Sequence, residues 1–212
     1  MKKASFFRIL GLLFLSAALC LTLFNVYSTL RAGAASSAVL GELAPYIPDD
    51  PIPPEGRKVR HEDIGIPDEI EYPDYIVNPN MNMPVREIDG INYIGVLEIP
   101  ALELALPVAA EWDYYRLNKS PCRYIGSAYL HDLVICAHNY DIHFGNIKTL
   151  RYGDEIVFTD MAGNRFSYVV AEVETLEPTA IERMTTGDWD LTLFTCTIGG
   201  ATRVTVRCDL SY

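Results

Sequence analysis

The stretch of sequence that decides the fold is Leu191-Thr-Leu-Phe-Thr-Cys196-Thr-Ile-Gly-Gly-Ala-Thr-Arg203-Val-Thr-Val206. Alternating and β-branched residues predict a strand on each side, and Gly199-Gly200 predicts the turn between them. Cys196 ends the first strand and Arg203 begins the second. A thiol attacks as the thiolate, and a neighbouring cation favours that form. The pattern predicts a reactive cysteine beside a fixed positive charge, although a buried structural cysteine in a hairpin has the same local sequence.

A second β-prone segment, Leu133-Val-Ile-Cys-Ala-His138-Asn139, ends in a histidine. Together, Cys196, His138 and Arg203 supply a nucleophile, a general acid/base and a cation from three strand ends. Arg207 is a competing cation. It lies four residues further along the same strand, so it shares a face with Arg203 but is about 13 Å away from it.

These segments resemble the sortases, the cysteine transpeptidases that attach proteins to the surface of Gram-positive bacteria. The resemblance runs in the family's order from about Ile91 to Tyr212. The matching segments are Ile94-Gly-Val-Leu-Glu-Ile-Pro100, Ala-His138-Asn139, Leu150-Arg-Tyr-Gly-Asp154-Glu-Ile, Leu191-Thr-Leu-x-Thr-Cys196 and Arg203-Val-x-Val206. It implies that Cys196 is the nucleophile and His138 the general acid/base. In the family, the arginine lies at the start of its strand. The resemblance therefore implies that Arg203, and not Arg207, positions the substrate or stabilises the oxyanion.

Three further residues are candidates for contact with substrate. Thr195 precedes the nucleophile, and packing within the strand is its alternative role. Asn139 either orients His138 or only ends the strand. His143, in the loop that follows, lies either near the mouth of the site or in solvent.

No cofactor is predicted. Cys136, His138 and His143 form an alternative set of zinc ligands, and Cys136 and His138 point the same way on a strand. No fourth ligand is evident, however, and the spacing is unlike a zinc knuckle, so zinc is disfavoured. Calcium lacks a specific motif, because the acidic residues are dispersed. Cys136 is also an alternative nucleophile.

The N-terminus predicts a membrane anchor. Lys2, Lys3 and Arg8 precede a charge-free apolar stretch, Ile9–Tyr27, which spans about 28 Å as a helix. The basic flank predicts a cytoplasmic N-terminus and an extracellular catalytic domain on a single-pass, uncleaved anchor.

Charge and cysteine content narrow the function further. Residues 1–31 carry four basic and no acidic side chains, whereas the remainder carries 13 basic and 28 acidic ones, a net charge of −15. This excess of acid argues against a nucleic-acid partner. The cysteine spacing lacks the regularity of a disulfide framework, so free thiols are expected, with Cys122–Cys136 and Cys122–Cys208 as alternative pairings.

Residues 32–89 predict an acidic, proline-rich stalk between the anchor (residues 1–31) and the catalytic domain (residues 90–212). Nine of the 13 prolines lie between Pro45 and Pro84, so a packed core is not expected there. A short helix is an option near Ala35–Leu43.

The alternative to a spacer is a lid, formed by residues 45–88 packed across the barrel. Pilus-building sortases have a lid with an Asp-Pro-aromatic motif. Asp50-Pro51-Ile52 lacks the aromatic residue, and Pro73-Asp74-Tyr75 has the reverse order.

Short β-patterned segments recur after Ile91 and predict a mostly β fold, a closed or nearly closed barrel. The resemblance implies a sortase-type barrel of about eight strands with short helices. The predicted strands are Ile91–Ile99, Ala105–Ala109, Ser127–Ala128, Leu133–Ala137, Glu155–Thr159, Arg165–Leu176, Asp190–Cys196 and Arg203–Cys208, and the predicted helices are Tyr114–Lys119 and Ile147–Leu150. The short link after Leu176 leaves no room for a long inserted helix, so class D-like or class A-like members are favoured over class B.

The resemblance implies cleavage of a Leu-Pro-x-Thr-Gly-like sorting signal on secreted proteins and transfer to an amine. That amine would come from the peptidoglycan cross-bridge or a pilin lysine. A cysteine peptidase without transfer and a non-catalytic barrel that binds sorting signals are the alternatives.

Overall fold

The computed structural model describes residues 2–47, 57–59 and 69–211. The strands are β1 (Arg57–Val59), β2 (Glu69–Glu71), β3 (Arg86–Ile88), β4 (Ile91–Ile99), β5 (Leu104–Ala109), β6 (Cys122–Ile125), β7 (Leu133–Cys136), β8 (Glu155–Asp160), β9 (Arg165–Leu176), β10 (Leu191–Cys196) and β11 (Arg203–Leu210). The helices are α1 (Lys2–Leu43), α2 (Asp74–Val77), α3 (Tyr114–Leu117) and α4 (Ile181–Thr185). Short 3-10 helices cover Ala44–Tyr46, Pro100–Leu102, Ala128–Leu130, Ile147–Thr149 and Ile198–Gly200.

Nine strands form one sheet, and eight of them close into a barrel. The order is β3-β4-β5-β6-β7-β10-β11-β9-β8, and β4 also pairs with β8. β5 pairs with β6 and β7 with β10 in parallel, whereas β3 adds to the edge at β4 in antiparallel. The prediction of a closed, mostly β barrel of about eight strands with short helices is confirmed.

The barrel closes at β4, where one face of the strand lines the interior and the other faces outward. Ile94 and Leu97 belong to the large interior core, and Ile91 and Val96 to a second cluster on the opposite face. At Gly95 a Cβ atom would lie 2.2 Å from the carbonyl oxygen of Thr159 on β8. Closure therefore depends on glycine at this crossing.

Helix α1 runs without a break from the predicted span to the barrel. Its large apolar side chains are exposed from Phe6 to Leu30, and the helix is long and apolar enough to cross a membrane. Beyond that point one side of the helix is buried, at Ala32, Ser36, Val39 and Leu43. This spacing of three to four residues follows one helix face, so the end of α1 packs on the barrel.

Two described parts of the predicted stalk, in which no packed core was expected, pack on the barrel. Residues 32–43, where a short helix near Ala35–Leu43 was an option, belong to the long helix α1. Tyr75 on α2 stacks on Tyr129 at 4.7 Å and contacts Phe166, both in the interior core. Phe166 lies at the end of β9 opposite to Leu176, which pairs with Arg203.

Tyr75 therefore packs at the end of the barrel away from the predicted site. Asp50-Pro51-Ile52 lies outside the described residues. The boundaries 1–31, 32–89 and 90–212 stay predictions.

Two differences from the prediction lie in the region of β6. The strand predicted at Ser127–Ala128 is wrong, because the Ser127 hydroxyl accepts a hydrogen bond from the Tyr129 amide and starts a 3-10 turn. The strand in this region is β6, four residues long, which contacts β5 through one residue pair, Ala109 and Cys122. All five cysteines are free, although Cys122 and Cys136 lie opposite each other on β6 and β7.

Candidate active site

The parallel pairing of β7 with β10 brings the histidine and cysteine segments to the same end of the barrel. Phe194 pairs with Cys136, and the Ala137 amide donates to the Phe194 carbonyl. His138 and Cys196 each lie two residues beyond this pair, so both residues lie at the same end of the sheet.

Arg203 lies directly opposite Cys196, because the two residues are partners in the antiparallel pairing of β10 with β11. Side chains at such positions share a face, with Cβ atoms about 5 Å apart. The Arg203 Nη1 atom donates to the carbonyls of Gly200 and Thr202 at 3.1 Å each. The half-buried guanidinium is thus held by the turn that links the two strands.

Arg207 is buried and makes hydrogen bonds to three neighbouring elements. Its side chain is 3% exposed, and its Nε atom donates to Glu174 on β9 at 3.0 Å. It also donates to Thr192 on β10 and to the carbonyls of Arg183 and Met184 on α4. These contacts fix α4 against the sheet and leave Arg203 as the arginine beside Cys196.

The His138 imidazole is held between two polar neighbours. Its Nε2 atom lies 3.1 Å from Oδ1 of Asn118, just after α3, and its ring lies 5.0 Å from that of Tyr140. With the amide oxygen as acceptor, Nε2–H is the donor and Nδ1 keeps the basic lone pair. Burial lowers the pKa of His138, which favours the neutral ring at pH 7.

The loop after His138 is closed by its own backbone. The Phe144 amide donates to the His138 carbonyl, and the His143 and Gly145 amides donate to the Tyr140 carbonyl. A Cβ atom at Gly145 would lie 2.7 Å from the Asn139 carbonyl. Glycine is therefore required for this tight loop to form beside His138.

His143 is fully buried, unlike either sequence interpretation, which placed it in solvent or at the mouth of the site. Its Nε2 atom lies 3.2 Å from the Ser36 hydroxyl of α1, and its ring lies 5.8 Å from that of Tyr140. Burial, and secondarily the charge of His138, lowers the pKa of His143 to about 4. His143 is therefore a neutral side chain within the fold.

Thr195 and Asn139 occupy different settings. Thr195 is buried, and its hydroxyl donates to the Ala137 carbonyl at 2.8 Å, which ties β10 to the segment before His138. This contact matches the packing role that the sequence left open. Asn139 is half-buried next to His138 in the loop.

The competing cysteine lies in a setting that suppresses reactivity. Cys136 is 5% exposed, and burial raises the pKa of its thiol to about 12. A thiol of this kind stays protonated at neutral pH, which disfavours Cys136 as the nucleophile. Within the described residues, no three histidine, cysteine or acidic side chains converge as metal ligands.

An aromatic surface leads away from the cysteine on the same face of the sheet. Phe194, two residues before Cys196, contacts Tyr124 edge to face at 5.3 Å, and Tyr124 stacks on Trp112 at 5.4 Å. A cavity of about 460 Å³ lies beside Tyr124 and Trp112, also lined by Arg123. This arrangement forms an apolar surface on the side of the sheet that carries Cys196.

Sequence reasoning missed three residues around His138, namely Asn118, Tyr140 and Ser36. Tyr140 lies two residues after the histidine and was within reach of motif analysis. Asn118 and Ser36 come from distant segments, separated from their partners by 20 and 107 positions, and no local pattern marks them.

A family model described as a sortase domain matches residues 97–211. The chain is similar to solved structures of sortase C from Clostridium perfringens SM101 (24% identity, covering 67% of this chain and 77% of that chain, TM-score 0.50). It is also similar to the Clostridium perfringens Sortase D5 transpeptidase (22% identity, 60% and 83%, TM-score 0.52) and to sortase C1 from Streptococcus agalactiae (22% identity, 64% and 75%, TM-score 0.53). At these identities the structures show likeness of fold. No curated protein matches the chain in sequence.

Proposed function

This chain belongs to the sortase family, since the family model covers more than half of its length, and from that premise we propose that it is a membrane-anchored cysteine transpeptidase. Its proposed substrates are secreted proteins with a Leu-Pro-x-Thr-Gly-like sorting signal. The proposed acceptor is an amine of the peptidoglycan cross-bridge or a pilin lysine.

The observation that carries the proposal is the juxtaposition of three side chains at one end of the barrel. The parallel pairing of β7 with β10 supplies His138 and Cys196, and the antiparallel pairing of β10 with β11 supplies Arg203. A nucleophile, an acid/base and a cation in this arrangement support acyl transfer.

In the proposed first step, the Cys196 thiol gives its proton to neutral His138, and the sulfur attacks the threonine carbonyl carbon of the sorting signal. Negative charge develops on the carbonyl oxygen, where Arg203 and a backbone N–H near Cys196 stabilise it. When the peptide C–N bond breaks, protonated His138 donates its proton to the departing amine, and the acyl group remains on sulfur as a thioester.

In the second step, the acceptor amine attacks the thioester carbonyl. Neutral His138 takes the proton that this amine loses, and the C–S bond breaks. The new amide joins the secreted protein to the acceptor, and Cys196 is regenerated. Water in place of the amine would give hydrolysis, so the product distinguishes a transpeptidase from a peptidase.

The proposed location follows from α1. Exposed apolar side chains from Phe6 to Leu30 suit contact with lipid, and the basic residues before them suit the cytoplasmic face. The barrel would then lie outside the cell, where both secreted proteins and wall precursors are available.

The test is incubation of the full chain, in detergent or nanodiscs, with a panel of sorting-signal peptides and amines. We expect cleavage after threonine, a thioester on Cys196 and an amide product, all lost in Cys196→Ala. Cleavage without any amide product would favour the peptidase. Binding without cleavage would favour the non-catalytic barrel.

A further inference from the structure

We propose that Ser36, on the membrane-anchor helix, is a positioning residue for His138 and acts with His143. The inference rests on the proposed function, because it assigns His138 the acid/base role. With this role, the end of α1 contributes to the catalytic centre, in addition to the proposed role of α1 as a membrane anchor.

The helix approaches the loop after His138 closely. A Cβ atom at Gly33 would lie 2.9 Å from the Cδ1 atom of Ile142, so glycine allows this contact. One turn further, Ser36 is 4% exposed. Val39 and Leu43 continue the contact in the cluster that includes Cys136, two residues before His138.

Ser36 joins two separate segments through one hydroxyl. Its Oγ–H donates to the Lys119 carbonyl at 2.8 Å. Since that hydrogen is already used, Oγ acts as acceptor for the Nε2–H of His143 at 3.2 Å. The Nδ1 atom of His143 is buried without a hydrogen-bond partner among the residues that the structure describes, which agrees with a neutral ring protonated on Nε2.

Both segments contact the catalytic histidine. Lys119 follows Asn118, whose Oδ1 atom accepts from His138 at 3.1 Å. On the other side, the ring of His143 lies against Tyr140, and Tyr140 lies against His138. One hydroxyl therefore fixes the spacing between the two groups that flank the His138 ring.

This geometry gives Ser36 a defined effect on the reaction. If the two segments separate, His138 loses the orientation needed to move a proton between Cys196 and the amine. Small misplacements of a general acid/base are costly to the rate, whereas the aromatic surface of Phe194, Tyr124 and Trp112, where we expect the peptide to bind, lies elsewhere on the sheet. The effect should fall on kcat and spare KM.

The experiment compares full-chain variants in nanodiscs, with kcat and KM measured for transfer from a fluorogenic sorting-signal peptide to an amine. Ser36→Ala removes both hydrogen bonds, and Ser37→Ala is the matched control, since Ser37 is the exposed neighbour on the same helix. His143→Leu removes the imidazole N–H that donates to the Ser36 hydroxyl. His143→Gln keeps a side-chain N–H at a similar distance from the backbone.

We expect kcat to fall about tenfold in Ser36→Ala and His143→Leu, with KM within about twofold of wild type. His143→Gln should recover most of the rate, which a purely structural role would not require. If Ser36→Ala lowers thermal stability, the comparison of His143→Leu with His143→Gln still tests the proposal.

Three results would overturn the positioning role of Ser36 while leaving the proposed function intact. Equal kcat in Ser36→Ala and Ser37→Ala would remove the positioning role, and an equal loss in both His143 variants would reduce it to packing. A rise in kcat would show instead that the helix obstructs the site. Full activity in Cys196→Ala would mark failure of the proposed function itself, and the role of Ser36 would fall with it.

Discussion

Replacing Arg203 and Arg207 by glutamine, one at a time, should separate catalysis from stability on a single strand. Arg207 is buried and makes its contacts with Glu174, Thr192 and α4. Breaking a buried ion pair costs about 3–5 kcal/mol. Glu174 keeps a second partner, Arg183 at 2.9 Å, so we expect the lower end of that range, about 3 kcal/mol.

For a domain of this size, a loss of about 3 kcal/mol lowers the melting temperature by about 10 °C. Arg203→Gln should leave the free energy of unfolding within about 0.5 kcal/mol of wild type, because the Arg203 side chain contacts carbonyls of a turn. Its kcat should fall by about 10²–10³-fold through the loss of a donor to the oxyanion.

The assay pairs thermal unfolding, followed by near-ultraviolet circular dichroism, with kcat for peptide-to-amine transfer on the same full-chain samples. Arg207→Gln should show normal kcat at temperatures where it is folded. Either of two results would reverse these roles: Arg207→Gln keeps its melting temperature but loses transfer, or Arg203→Gln transfers at the wild-type rate.

Three further outcomes are expected. Cys136→Ala should keep wild-type transfer, because burial raises the pKa of its thiol to about 12; loss of transfer with an intact fold would reopen the choice of nucleophile. For His143, whose folded pKa is lowered by burial to about 4, the unfolded chain binds a proton between pH 6.5 and 4 that the folded chain does not. The difference in the free energy of unfolding between wild type and His143→Gln should therefore be constant above pH 6.5, and wild type should lose about 3 kcal/mol relative to the variant as pH drops to 4. Urea titrations at each pH measure this difference, and a difference that does not change with pH would contradict the expectation. Gly95→Ala should destabilise the barrel by about 3 kcal/mol in the same titrations, because its Cβ would meet the Thr159 carbonyl, and an unchanged midpoint would show that β4 and β8 can separate at no cost.

Strongly patterned elements were predictable from sequence, as β4 and β9 illustrate. Both have the predicted bounds, Ile91–Ile99 and Arg165–Leu176, because long alternating segments carry a clear period of two. β6 was missed because it is four residues long and joins its parallel neighbour through one pair. Ser127–Ala128 was mistaken for a strand because a hydroxyl that caps a turn leaves no periodic pattern.

The catalytic candidates were predictable because each lies at the end of a β-patterned segment. The buried state of His143 was not, since its partner Ser36 lies 107 positions away on a helix that composition alone marks as a membrane span. Hydrophobicity predicted the exposed part of α1. It did not predict that the same helix continues to Leu43 and packs on the barrel.

The most direct test of the central claim is the mass spectrum of the full chain quenched with acid during turnover of a sorting-signal peptide. We expect a protein mass increased by the acyl portion of the peptide, with the thioester mapped to Cys196 and discharged by an added amine to give the amide. An acyl adduct mapped to Cys136, or turnover that persists in Cys196→Ala, would contradict it.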